Sequence, residues 1–128
     1  MPLIRISLLK GKSQDHIRAI SNGVHRALIE AFGIPADDLF QIVEPLEREQ
    51  LFFDRDYLGQ HRTDDVVFVH IFASAGRSTQ QKKQLYTTIA ENLAENPGLR
   101  REDVMIVLTT NTREDWSFGG GIASYVKD

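Results

Sequence analysis

The chain has 128 residues, of which 41% are hydrophobic and 26% are charged, the size and composition of one ordinary globular domain. The absence of cysteine excludes disulfides, thiolate metal sites and thiol nucleophiles, and a net charge of -3 without a basic block argues against a nucleic-acid-binding surface. No segment approaches the roughly 20 apolar residues that span a bilayer, and no signal-peptide pattern opens the chain, so we expect a cytoplasmic protein without membrane contact.

The first half of the chain predicts a strand, a helix and a second strand. A short apolar run from Leu3 to Leu9 is typical of a buried strand. Ser13 is the predicted N-cap of the helix that follows, and Gly33 with Pro35 ends it. A second apolar run, from Leu39 to Val43, predicts the next strand. The helix has an apolar face at intervals of three and four residues, formed by Ile17, Ile20, Val24, Leu28 and Ala31.

The second half predicts the same order of elements. A strand is expected from Val66 to Phe72, and Ser78 with Gln81 has the spacing of a capping box at the start of a helix. This helix ends before Pro97-Gly98, and the last strand is expected from Val104 to Leu108. Its apolar positions are Leu85, Ile89 and Leu93.

An ungapped shift of 65 residues superposes the two halves, including their caps and helix ends. The sequence therefore predicts an α/β (α+β) fold in which two tandem β-α-β repeats fuse into one four-stranded mixed sheet, with two helices on one face. The half-repeats cover about 2–44 and 66–109, the charged connector 45–65, and the glycine-rich C-terminal tail 110–128, all within a single domain. The superposed pairs include Ile6 and Ile71, Gly11 and Gly76, Ser13 and Ser78, Leu28 and Leu93, Gly33 and Gly98, and Asp38 and Asp103.

The predicted topology brings three chemically different residues to one end of the sheet. Each β-α-β unit holds its strands parallel, and pairing of the two first strands about a two-fold axis makes those strands antiparallel. Pro2, Asp38 and Arg77 then meet at one end, which we call the Pro2 end. The repeat places Lys12 and Asp103 at the opposite end, called the Val67 end because a valine inside the chain stands there in place of the proline. We therefore expect one functional site per chain.

Pro2 offers unusual chemistry if Met1 is removed, because its secondary amine is then both a base and a nucleophile. An unperturbed α-amino group titrates near pH 8, so burial favours a neutral base, whereas a nearby carboxylate favours the cation. Arg77 has a planar fork suited to a substrate carboxylate. Asp38 is placed to orient the amine, accept a proton or position a water. A small carboxylate-bearing substrate fits this set of groups.

Each of these residues also has a structural interpretation. Proline is sterically tolerated at the start of a strand, and Arg77 flanks a helix N-terminus. Asp38 corresponds in the repeat to Asp103, which cannot lie near Pro2, so a structural turn role for Asp38 is an equal alternative. Trp116 and Phe118 lie in the tail, where they close a pocket over a small substrate or dock the tail onto the core or a neighbouring subunit. The four histidines lack metal-ligand spacing, so we expect no metal and no cofactor.

Over nearly its whole length the chain resembles the tautomerase superfamily, and within it the malonate semialdehyde decarboxylase group. The amino-terminal proline and the aromatic tail motif carry this resemblance most specifically. The matching residues are Met1-Pro2-Leu3, His25-Arg26-Ala27, Glu30-Ala31-Phe32-Gly33 with Pro35, Gln41-Ile42-Val43, Leu58-Gly59, Arg62, Arg77-Ser78 with Gln81-Lys82, and Asp115-Trp116-Ser117-Phe118-Gly119.

The resemblance implies a homotrimer in which Pro2 is catalytic, Asp38 is the supporting acid, and Arg77 binds a substrate carboxylate or carbonyl. The decarboxylase carries two arginines flanking a proline at the end of the third strand, whereas residues 73–77 here keep only the second arginine. The predicted activity is therefore enol-keto tautomerisation of a small 2-oxo acid. The alternatives are decarboxylation or hydration of a 3-oxo or unsaturated acid, and a non-catalytic trimeric binding module.

Overall fold

A computed structural model describes residues 2–127 and shows a mixed four-stranded sheet covered by two helices. The strands follow the order β2-β1-β3-β4, in which the outer pairs are parallel and the central pair is antiparallel. This arrangement confirms the fold class predicted from the two repeats. The elements are β1 (Leu3–Leu9), α1 (Gln14–Phe32), β2 (Gln41–Leu46), β3 (Val67–Ser74), α2 (Thr79–Glu95) and β4 (Val104–Asn111).

The two edge strands differ most from their predicted bounds. Strand β2 begins at Gln41 rather than Leu39 and runs to Leu46, because pairing with β1 continues through Pro45. Proline is tolerated there because an edge strand has one unpaired side. Strand β4 extends past Leu108 to Asn111, where it still pairs with β3 although its residues are no longer apolar. In both cases backbone pairing, rather than hydrophobicity, sets the end of the strand.

Helix α1 begins and ends at the residues that its sequence signals predict. The Ser13 hydroxyl accepts a hydrogen bond from the His16 backbone N–H at 3.1 Å. At the other end Gly33 adopts a φ of 68°, a left-handed conformation that favours glycine, and its N–H donates to the Ile29 carbonyl at 3.0 Å. The helix therefore stops at Gly33, which directs the chain towards Asp38.

Helix α2 starts with the predicted capping box and packs closely against α1. The Ser78 hydroxyl accepts from the Gln81 N–H at 3.1 Å, and the Gln81 side chain accepts from the Ser78 N–H at 3.0 Å. Gly23 allows the close approach of the helices, because a Cβ there would lie 2.8 Å from a methyl group of Leu93. Both helices consequently cover the same face of the sheet.

The hydrophobic core lies between that face and the helices. The alternating residues of β1 and β3 that face the helices are buried, as are the apolar faces of α1 and α2. No helix in the described part of the chain is long and apolar enough to cross a bilayer. The largest fully buried side chains include Ile4, Ile6, Leu8, Ile20, Leu28, Ile71, Leu85, Ile89 and Leu93.

The opposite face of the sheet is apolar and exposed in the isolated chain. Ile42, Met105 and Val107 of the edge strands are between 43% and 45% exposed. Beside them the connector presents Phe52 and Leu58, which are 80% and 78% exposed. We call these five residues the apolar outer face. An exposed apolar surface of this kind marks an interaction site.

Candidate active site

Pro2 is a buried residue at the end of the sheet where β1 begins. The antiparallel register pairs Leu3 with Phe72, so Pro2 lies alongside the end of β3. On its other side, the Ile4 N–H donates to the Phe40 carbonyl at 3.0 Å and ties this end of β1 to the segment that contains Asp38. The proline ring therefore stands between the two loops that carry the other predicted site residues.

Asp38 is half-buried in the turn that leads from α1 into β2. Its backbone N–H donates to the Pro35 carbonyl at 3.1 Å, which fixes the turn. Its carboxylate acts on Tyr125 of the tail: burial is the main reason that the pKa of Tyr125 is raised, and the negative charge of Asp38 raises it further. Asp38 therefore lies beneath the tail, at the same end of the sheet as Pro2.

Arg77 is held in place from two sides. Its guanidinium donates to the Ser74 carbonyl at 3.0 Å, and the guanidinium carbon lies 4.8 Å from the ring centroid of Phe32, the last residue of α1. Within residues 2–127 no carboxylate forms a salt bridge with this side chain. The N-terminus of α2, which follows immediately, adds partial positive charge. This loop is therefore suited to bind an anion.

Trp116 and Phe118 pack in an aromatic cluster over the Pro2 end. Their rings stack with centroids 5.3 Å apart, and Phe118 also contacts Phe40 at 5.7 Å and Tyr125 at 5.5 Å. We refer to these four residues as the aromatic cluster. The Trp116 indole N–H donates to the Asn111 side chain at 2.7 Å, which anchors the cluster to the end of β4. Through the contact of Phe118 with Phe40 the tail thus packs against the segment that contains Asp38.

A short turn between β4 and the aromatic cluster sets the path of the tail. The Asp115 carboxylate accepts hydrogen bonds from the Thr112 N–H at 2.8 Å and from the Thr112 hydroxyl at 2.9 Å. These bonds hold the pKa of Asp115 below its usual range, with the backbone bond as the larger cause. In the Asp115-Trp116-Ser117-Phe118-Gly119 motif, the Asp115 carboxylate therefore holds the turn, and the two aromatic rings pack over the Pro2 end.

A cavity of about 550 Å³ opens beside Arg77. Its walls come from the end of α1, the loop between β3 and α2, and the tail, which contributes Arg113. The lining residues are Gly33, Ile34, Pro35, Ser74, Ala75, Gly76, Arg77, Gln81 and Arg113. Neither Pro2 nor Asp38 lines this cavity. Asp38 is linked to its wall by the hydrogen bond from its N–H to the Pro35 carbonyl, and the pairing of Leu3 with Phe72 places Pro2 beside the last residues of β3.

The sequence analysis missed Arg113, Tyr125 and Phe40 at this end of the sheet. Arg113 and Tyr125 lie in the tail, where no periodic pattern assigns a direction to a side chain. Phe40 had a usable signal, because it is a large apolar residue two positions after Asp38, near the start of the predicted strand 39–43. Within the described residues no group of three histidine, aspartate or glutamate side chains could hold a metal ion.

Two family models, both described as tautomerase enzyme, match the chain. One matches residues 2–60 and the other residues 38–119. Together they include the segments of Pro2, Asp38 and Arg77, and they extend into the tail as far as Gly119.

Curated relatives match the chain from end to end. "Probable tautomerase YusQ" of Bacillus subtilis (strain 168) is 39% identical over 127 residues, which cover 99% of this chain and 100% of the relative. "Probable tautomerase YrdN" of the same organism is 30% identical over 126 residues, covering 98% of this chain and 97% of the relative.

Solved structures with strong similarity include two malonate semialdehyde decarboxylases. The FG41 enzyme, inhibited by 3-bromopropiolate, has a TM-score of 0.90 and 41% identity, covering 96% of this chain and 93% of that one. A second malonate semialdehyde decarboxylase, described with decarboxylase and hydratase activities, has a TM-score of 0.90 and 30% identity, covering 95% and 94%. A fused 4-OT symmetric trimer shares the fold at a TM-score of 0.77 and 18% identity, with 94% of each chain covered.

Proposed function

This chain belongs to the tautomerase family. We propose that it is an enzyme that uses the amine of Pro2 to move a proton on a small 2-oxo acid. The observation that carries the proposal is the burial of Pro2 at the same end of the sheet as Asp38 and the loop of Arg77, whose positive charge is suited to an anion. Removal of Met1 frees the amine. The activity is then enol-keto tautomerisation, and the protein is an isomerase.

In the proposed reaction Pro2 is both the base and the acid. The amine accepts the proton of the enol hydroxyl, the electrons of that O–H bond form the carbonyl, and the former double bond takes a proton at the neighbouring carbon. Arg77 binds the substrate carboxylate through its guanidinium, and Asp38 stabilises the ammonium form of Pro2. Trp116 and Phe118 stack in the tail, outside the lining of the Arg77 cavity, and there they cover the bound enol and exclude water from it.

Blocking the amine tests this role of Pro2. A non-cleavable extension placed before Pro2 converts the amine to an amide, and we expect turnover of phenylenolpyruvate to fall by about 10²-fold or more, the range typical of a lost general base. The same extension at the C-terminus is the control, and thermal unfolding checks that both proteins fold. Turnover that is undiminished after the N-terminal extension would contradict the proposal.

A second candidate is decarboxylation or hydration of a 3-oxo or unsaturated acid. The two decarboxylases with a TM-score of 0.90 favour it. The sequence of residues 73–77 opposes it, because one of the two arginines of that group is missing. Decarboxylation uses a cationic Pro2 that polarises a carbonyl, whereas tautomerisation uses a neutral base. Titration of the Pro2 amine by nitrogen NMR separates the two: a midpoint near neutrality indicates the base, and one well above pH 8 indicates the acid.

We further propose that the chain forms a homotrimer through its apolar outer face. Exposure of Ile42, Met105 and Val107 on one side of the sheet supports this, because a protein surface rarely leaves such a patch uncovered. The fused 4-OT chains described as trimers share this fold. Light scattering should give the mass of three chains of 14.5 kDa each. A non-catalytic trimeric binding module would have that mass too, but no turnover with any oxo acid, and its ligand binding would survive Pro2→Ala.

A further inference from the structure

A second guanidinium lies on the wall of the cavity that holds Arg77. Arg113 comes from the turn at the start of the tail, far from Arg77 in the sequence, and both side chains line the same cavity of about 550 Å³. The guanidinium carbon of Arg113 lies 5.4 Å from the ring centroid of Tyr125. Neither arginine forms a salt bridge with another residue in the range 2–127.

The described residues that line this cavity include two positively charged side chains and no acidic one. The charges of Arg113 and Arg77 both reach the Tyr125 hydroxyl, where they oppose the effect of Asp38. Two like charges that line one cavity repel each other, and a bound anion relieves that repulsion. The N-terminus of α2 adds further positive potential beside Arg77. A ligand with two negative groups would satisfy both cations.

The backbone position of Arg113 is set by the turn at the start of the tail. The two hydrogen bonds from Thr112 to Asp115 close the turn that contains Arg113, and the ring of Tyr125 supports the guanidinium from one side. The stretch between β3 and α2 provides one cation to the cavity, and the tail brings the second. Arg113 therefore reaches the cavity from a turn whose backbone these two bonds hold.

We infer that Arg113 is a second substrate-binding residue, and that the site accepts a short oxo acid with a carboxylate at each end. One carboxylate binds Arg77, the other binds Arg113, and the reacting carbon lies between them towards Pro2. This inference rests on the proposed function for its reaction, but the pair of cations makes a separate claim about binding. Arg113 sets the preference of the site for dicarboxylates over monocarboxylates of equal length.

Binding of unreactive acids tests this preference without turnover. Succinate and butyrate have the same number of carbons and differ by one carboxylate, and calorimetry on the full chain measures the affinity for each. We expect Arg113→Gln to weaken succinate binding by about 10- to 100-fold, the value of a lost charge-assisted hydrogen bond, while butyrate binding changes less than about threefold. Arg113→Lys should recover part of the loss. Glu114→Gln changes a neighbour that does not line the cavity, and it should leave both affinities unchanged.

Two results would overturn the inference. Equal weakening of succinate and butyrate by Arg113→Gln would mean that both arginines bind a single carboxylate. Unchanged succinate binding, or wild-type binding that does not favour succinate, would mean that Arg113 does not contact the ligand. Failure of the proposed function has a different signature, because a chain without turnover on any enol still shows the succinate preference.

Discussion

The two ends of the sheet are built from the same repeat but use their charged residues in different ways. At the Val67 end the Asp103 carboxylate is 0% exposed and accepts two hydrogen bonds from Thr63, one from its N–H and one from its hydroxyl, both at 2.6 Å. Lys12 there forms an ion pair with Asp65. At the Pro2 end Arg77 bonds a backbone carbonyl and faces a cavity.

The segment that covers each end accounts for this difference. The connector follows β2 and covers the Val67 end, where Thr63 and Asp65 take up both charged groups. The tail follows β4 and covers the Pro2 end, where it brings an aromatic cluster and a second cation instead of partners that neutralise Arg77. The two β-α-β units thus pair their charged groups at the Val67 end, whereas at the Pro2 end Arg77 and Arg113 form no salt bridge among residues 2–127.

Removing the aspartate at each end should give the largest contrast. We expect Asp103→Ala to lower the free energy of unfolding by about 3 kcal/mol, because it leaves the half-buried N–H and hydroxyl of Thr63 without an acceptor. Asp38→Ala should instead lower turnover by about 100-fold with a smaller loss of stability. Urea unfolding and initial rates on phenylenolpyruvate measure the two effects.

A smaller change at the partner of Asp103 separates the contributions of its two hydrogen bonds to stability. Thr63→Val removes the hydroxyl but keeps the backbone N–H bond to Asp103, so about 1 kcal/mol should be lost. Should Asp103→Ala leave stability intact while abolishing turnover of the folded protein, the division of roles between the ends would be wrong.

The cations of the two ends provide the next contrast. Arg77→Gln should lower kcat/KM by about 10- to 100-fold, mainly through KM, because a charge-assisted bond to the substrate carboxylate is lost. Lys12→Gln removes a partly exposed ion pair, so stability should fall by at most about 1 kcal/mol and kcat/KM should not change. A loss of kcat/KM in Lys12→Gln would show that the ends are coupled.

The fold could be predicted from the sequence because its signals are local and occur twice. Ser13, Gly33 and the pair Ser78 with Gln81 each act within one turn of their own helix, and the structure confirms all of them. The ends of β2 and β4 could not be predicted in this way, because pairing with a neighbouring strand decides where they stop. Helix caps are determined by residues a few positions apart, whereas the ends of strands depend on residues far away in the chain.

The candidate site was predictable only where it follows the repeat. Parallel and antiparallel pairing is enough to bring Pro2, Asp38 and Arg77 to one end of the sheet, and their catalytic roles stay predictions. The places of Arg113 and Tyr125 could not be predicted from the sequence. The path of the tail depends on the hydrogen bonds from Thr112 to Asp115 and on aromatic contacts, and not on a repeating pattern.

The smallest expected effect belongs to His16, near Lys12 at the Val67 end. Burial lowers the pKa of His16, the positive charge of Lys12 lowers it further, and Asp65 partly opposes both. The unfolded chain therefore binds the proton more readily than the folded one, so stability should fall as the pH drops from about 7 to about 5. We expect His16→Gln to reduce this loss between the two pH values, measured as the midpoint of urea unfolding. Lys12→Gln should reduce it less, since burial of the ring remains. An equal pH dependence in the wild type and both variants would show that the proton on His16 is not linked to folding.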